Sequence, residues 1–147
     1  MSSSSTNLKH QELTEKIIGV FFDVYNELGH GFLESVYEEA MRIALTENGL
    51  EILTQVPTPV WFRGHEIGDF RADIVVNGKV LLELKAARSI DLAYEKQLLN
   101  YLRATEIEVG LLLNFGPKAE FRRLVFENER KRIRVDRRKS AAGGASS

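Results

Sequence analysis

Asp73, Glu83 and Lys85 are the side chains of this sequence whose types and spacing could do chemistry. They lie in DIVVNGKVLLELK, residues 73–85, two short apolar runs separated by Asn77-Gly78. Alternation puts Phe70, Ala72, Ile74 and Val76 on one face of the first run, and Val80, Leu82 and Leu84 on one face of the second. Arg71 and Asp73 then point to the other face of their run, as do Glu83 and Lys85 of theirs. Converging carboxylates repel each other unless a cation lies between them, and oxygen ligands of this kind suit magnesium or manganese. Such an ion polarises a phosphate and lowers the pKa of a bound water. Lys85, two residues after Glu83 and on its face, would sit beside that water and stabilise a pentavalent phosphate. The plain alternative is a surface ladder of Glu83 and Lys85 with Asp73 ending a strand. A lone E-x-K is common; the preceding Asp at hairpin distance is what separates this pattern from it.

The turn decides whether the polar sets meet. A two-residue turn at Asn77-Gly78 would pair Val76 with Lys79 and put Asp73 opposite Leu82, with Glu83 on the reverse face. A three-residue loop shifts the parity and brings Asp73 onto the face of Glu83. The apolar pattern demands the same parity, since Ile74 and Val76 must share a face with Leu82 and Leu84. The expected loop is therefore Val76-Asn77-Gly78 or Asn77-Gly78-Lys79, for example a type I turn with Gly78 left-handed in a bulge.

These strands need supports, and the flanking sequence supplies them. Leu13, Ile17, Val20, Phe21, Val24 and Leu28 recur at helical spacing, and Gly29 and Gly31 bracket the end of that helix. A second helix, from about Leu33 to Glu47, buries Val36, Tyr37, Ala40 and Ala44 and stops at Asn48-Gly49. Ile52 to Lys85 reads as a three-strand meander whose first strand, carrying Pro57 and Pro59, belongs at an edge, with a turn at Arg63-Gly64-His65-Glu66. A third helix runs from about Ile90 to Ala104, capped by Ser89 or Asp91, with Tyr94, Gln97, Leu98 and Tyr101 on one stripe. Val109 to Phe115 is a nearly unbroken apolar run, as expected of a strand covered on both faces, and Glu120 to Phe126 adds one more. This order gives an α/β fold, a mixed sheet flanked by helices.

Composition sets the outer limits. With 147 residues, 44% of them hydrophobic, the chain has the size of one domain with one core. It contains no Cys, hence no disulfide or thiolate metal site, which fits a cytoplasmic protein. His30 has no His or Cys partner at ligand spacing. No apolar run is long enough for a membrane span, and MSSSSTN lacks the regions of a secretory signal. The net charge of −1 is uneven: Lys118 to Lys139 holds ten basic and four acidic residues. That basic end is either a solvated tail or a sequence-independent phosphate contact. The expected boundaries are a flexible tail at 1–7, a domain at 8–130, and a basic, then Gly/Ala/Ser-rich tail at 131–147.

Taken together, Gly31-x-x-Glu34-x-x-Tyr37, Arg71-Ala72-Asp73, Glu83-Leu84-Lys85 and Gln97-Leu-Leu-Asn-Tyr101 resemble the GxxExxY family, a branch of the PD-(D/E)XK restriction-endonuclease-like nuclease superfamily. The likeness spans about Leu13 to Phe126. It implies an αβββαβ core preceded by a further helix, and a magnesium-dependent nuclease site. It also implies roles: Asp73, Glu83 and Glu34 as catalytic and metal-binding carboxylates, Lys85 beside the attacking water, and Gln97, Tyr101, Tyr37 and Arg71 orienting the site or meeting nucleic acid. Tyr94 stands where many members carry a histidine, and the loop before Glu34 reads Gly-His-Gly rather than Gly-Pro-Gly. The expected partner is nucleic acid, DNA ahead of RNA. A competing reading keeps the fold without the chemistry, as a self-assembling or nucleic-acid-binding protein that uses the first helix as an interface.

Overall fold

The apolar stripe that begins at Leu13 forms α1, Gln11–Leu28, and buries Thr14, Ile17, Val20, Phe21 and Val24. Gly29 ends it with φ 70°, its N–H bonded to Tyr25 O. In this computed structural model, which describes residues 8–131, α2 follows as Glu34–Glu47 and buries Tyr37, Met41 and Leu45. Val36, expected inside, is exposed. The helix turns the Tyr37–Met41–Leu45 line to the sheet, and Ala40 and Ala44 only flank it.

Five strands form one sheet in sequence order: β1 Ile52–Phe62, β2 His65–Val76, β3 Val80–Lys85, β4 Val109–Phe115 and β5 Ala119–Val125. All neighbours are antiparallel except β3 and β4, which are parallel and joined through α3, Leu92–Ala104. Asp91 caps α3, its side chain accepting the Ala93 N–H at 2.9 Å. β1 is an edge, which is why Pro57 and Pro59 are tolerated there. It turns into β2 through a two-residue loop, Arg63-Gly64, shorter than expected, with both residues left-handed.

Apolar side chains leave both faces of the sheet. Ile74, Val76, Leu82 and Leu84 pack with β4 against α1 and α2; Phe70, Ala72, Val75, Leu81 and Leu112 pack against Leu98 and Leu102 of α3. β4 is buried along its whole length, between the two helix layers. Among the described residues no helix is long and apolar enough to cross a membrane.

The hairpin has the expected parity. Val76 pairs with Val80 and Ile74 with Leu82, so the loop is Asn77-Gly78-Lys79. Its conformation differs from the expected type I turn: Asn77 (φ 53°) and Gly78 (φ 65°) are both left-handed, and Lys79 N–H bonds Val76 O at 2.9 Å. Asn77 is held there by the residue before β1, since its N–H donates to Glu51 O at 2.7 Å and its Oδ1 accepts the Glu51 N–H at 2.8 Å.

One expectation about β2 is overturned. Phe70 and Ala72 do not share a face with Ile74 and Val76; they lie under α3. The ladder with β1 pairs Thr54 with Ile74 and Val56 with Ala72 but passes over the position between, where Gln55 takes φ 52° opposite Asp73. The alternation of β2 breaks at Asp73, opposite that left-handed residue. The fold also extends past residue 130: Lys131 is buried, its Nζ donating to Thr105 O at 2.9 Å and Ile107 O at 2.7 Å. The remainder of the expected tails, 1–7 and 132–147, lies outside the described residues.

Candidate active site

The β2–β3 ladder begins at Ile74 and Leu82, and Asp73 is the next residue along, opposite Glu83. Its side chain takes the place of a ladder carbonyl: Oδ2 accepts the Leu84 N–H at 2.8 Å. Asp73 therefore marks the point where β2 and β3 part. Burial raises its pKa, the Leu84 N–H opposes that, and the charges of Glu38 and then Glu34 add to the rise.

Glu83 is the more perturbed carboxylate. It is 8% exposed, and burial, followed by the charge of Asp73, pushes its pKa up to about 8. Its Oε1 is buried with no hydrogen-bond partner. A carboxylate oxygen in that position is costly unless a proton or a cation meets it. Lys85 is half-buried on the same side, its Nζ 4.7 Å from the centre of the Tyr94 ring, and its charge favours ionisation of both carboxylates.

The remaining expected residues fall into three places. Glu34 opens α2, exposed, and its charge reaches both Asp73 and Glu83. Gln97 and Tyr101 lie one turn apart on α3, and the Tyr101 ring stacks on Phe70 at 3.6 Å with 4° between planes. Burial raises the Tyr101 pKa, with the charge of Glu83 second, so its hydroxyl belongs to the carboxylates' surroundings. Tyr37 and Arg71 have other partners. Tyr37 is fully buried, stacked on Phe115; its hydroxyl donates to Gly29 O at 2.7 Å and accepts the Phe32 N–H at 3.2 Å. It fixes the loop that leads into Glu34, and its burial leaves no surface for nucleic acid. Arg71 is exposed, its guanidinium 3.4 Å from Gln55 O.

Two residues escaped the sequence reading. Glu38, one turn after Glu34, receives Gln55 Nε2 on both carboxylate oxygens, at 2.9 and 3.0 Å, and is the charge that acts most on Asp73. The i, i+4 spacing from Glu34 was the available signal. Asn114 is fully buried in β4 opposite Lys85 and bonds both the N–H (2.9 Å) and the C=O (3.0 Å) of Ala87. It fixes the chain just beyond Lys85, and its signal was a single amide in an otherwise apolar run.

Among the described residues no three acidic or histidine side chains gather closely enough to hold a metal ion by themselves, so Glu34 does not close the expected trio. The pair fits a cation nonetheless. Asp73 and Glu83 supply hard oxygen donors, one orphaned and buried, and an ion such as magnesium completes its shell with water.

The PD-(D/E)XK nuclease superfamily model matches residues 11–124. No curated protein matches the chain. Among solved structures, SSO0001 is similar in fold, with a TM-score of 0.53 at 18% identity over 76% of this chain and 59% of that one. An alkaline exonuclease (LHK-Exo) from Laribacter hongkongensis superposes with a TM-score of 0.42 at 10% identity, over 76% of this chain and 66% of that one. The chain thus spans less than two thirds of either structure's length. With the family model covering both N-terminal helices and the sheet through β5, and Asp73, Glu83 and Lys85 falling inside it, the chain belongs to the PD-(D/E)XK nuclease superfamily.

Proposed function

We propose that this chain is a divalent-cation-dependent phosphodiesterase of the GxxExxY branch, hydrolysing nucleic acid at Asp73, Glu83 and Lys85. The observation that carries this reading is Glu83 Oε1, buried and unpartnered opposite Asp73. Neutral Glu83 would be a tolerable core residue; ionised Glu83 needs a cation, and Asp73 is placed to share it. When bound, magnesium or manganese would polarise the scissile phosphate and acidify a water. Asp73 keeps one carboxylate oxygen committed to Leu84 N–H and so holds a fixed orientation toward that ion. Lys85 brings positive charge to the developing phosphorane, its ammonium steadied on the Tyr94 ring. The Tyr101 ring is held by Phe70, with Gln97 one turn before it on α3.

The competing assembly reading relied on the apolar stripe of α1. That stripe packs against the chain's own sheet, which removes its support. The test of the catalytic reading is cleavage of double- and single-stranded DNA, then RNA, with magnesium or manganese and with chelator. Asp73→Ala and Lys85→Ala should lose activity by roughly two to three orders of magnitude while keeping the wild-type circular dichroism. If both folded variants cut at the wild-type rate, any cleavage comes from elsewhere and the assignment fails.

A further inference from the structure

We infer that Glu38, held by Gln55, is a positioning residue of the cation site, acting on the ion's water shell beside Asp73. This rests on the cation reading of Asp73 and Glu83 and names a further residue of that site. Gln55 lies opposite Asp73, at the position the β1–β2 ladder passes over, in a left-handed conformation uncommon for a residue with a side chain. From there its amide nitrogen reaches both oxygens of Glu38, at 2.9 and 3.0 Å. A strained backbone thus carries a side chain that ties a carboxylate of α2 to the strand position facing Asp73, on which the Glu38 charge acts. Within that cluster, Glu83 is 8% exposed and its Oε1 has no partner, which sets it apart from an ordinary acidic surface: once ionised, it needs a cation.

Glu38 is not close enough to complete a three-carboxylate ligand set. Magnesium keeps several of its waters, and a fixed carboxylate one layer out accepts their hydrogen bonds and adds negative charge. Glu39, the next residue, provides the contrast: it is exposed and paired with Arg42 on its own helix. Without an ion, Glu38 and Asp73 repel each other; with one, both attract it. Removing the Glu38 charge must therefore act in opposite senses on the ion-free fold and on ion affinity.

The experiment is calorimetric titration of manganese into the full chain without nucleic acid, beside thermal melts without metal. Glu38→Gln should weaken manganese binding about tenfold while its ion-free melting temperature stays at or above wild type. Gln55→Gly, which keeps the left-handed backbone and deletes the amide, should weaken binding in the same direction, and Glu39→Gln should leave it unchanged. Wild-type affinity in Glu38→Gln, with Asp73→Asn impaired, overturns the role of Glu38 and spares the cation reading. Equal weakening by Glu39→Gln overturns it too, as a bulk charge effect. No manganese binding by the wild-type chain overturns both.

Discussion

Glu83 concentrates the physical tension of the molecule in one side chain. Folded, it keeps its proton up to about pH 8, whereas its ordinary value is 4.5. Between those values the folded state binds more protons than the unfolded, so ion-free stability falls as pH rises through that window. Asp73, also raised, acts in the same sense. Melts without metal should therefore lose several degrees from about pH 5 to about pH 8; Glu83→Gln should flatten the decline, and magnesium should restore the wild type at the alkaline end. A wild-type melting temperature that climbs over that range contradicts the burial argument. Tyr94 offers a second test. Its ring, not its hydroxyl, faces Lys85 Nζ, so Tyr94→Phe should preserve cleavage and Tyr94→Leu should lower kcat several-fold with KM little changed.

At the scale of elements, the hairpin was the most legible part of the sequence. The apolar residues of both strands fixed the parity of its loop, because a slip by one residue exposes an entire face. The Asn-Gly pair favours the two consecutive left-handed residues that the turn adopts; what was not legible is its anchor, Glu51, 26 residues away. The face change across Asp73 also escaped, since the apolar alternation of residues 70–76 runs through it without a local break. β4 illustrates a partial reading. Its apolar run announced a doubly covered strand, but the work of Asn114 on the Lys85–Ala87 segment emerges only when β3 lies beside it. Gly116 guards that clamp. A Cβ there would fall 2.1 Å from Ala87 O and 2.9 Å from Asn114 Nδ2, so Gly116→Ala should cost about 1–3 kcal/mol. Urea unfolding would register it, and a wild-type midpoint would mean that Ala87 yields freely.

Over the whole molecule, two helical layers compress one sheet, and the site opens where that sheet stops being continuous. The order of elements and the mixed sheet followed from periodicity, the resemblance supplied the nuclease reading, and the family match agrees with it at the level of the superfamily. Tethers from side chain to backbone were the part hidden from the sequence. Tyr37 spans from the core to the Gly29–Phe32 loop, and Tyr25 donates to Gly116 O at 2.7 Å across 91 positions. Tyr37→Phe leaves Gly29 O and the Phe32 N–H without their partner and should cost about 1–2 kcal/mol, with the start of α2, and hence Glu34, less firmly held. Hydrogen exchange at the first turn of α2 would detect that loosening, and unchanged protection would separate Tyr37 from the site.

The central claim is that the orphaned oxygen of Glu83 is a cation ligand shared with Asp73. Anomalous scattering from crystals of the protein soaked in manganese tests it most directly. The account predicts a peak between Asp73 and Glu83 Oε1 that is lost in Glu83→Gln. No peak beside Glu83 at a manganese concentration that saturates the protein in solution would contradict it.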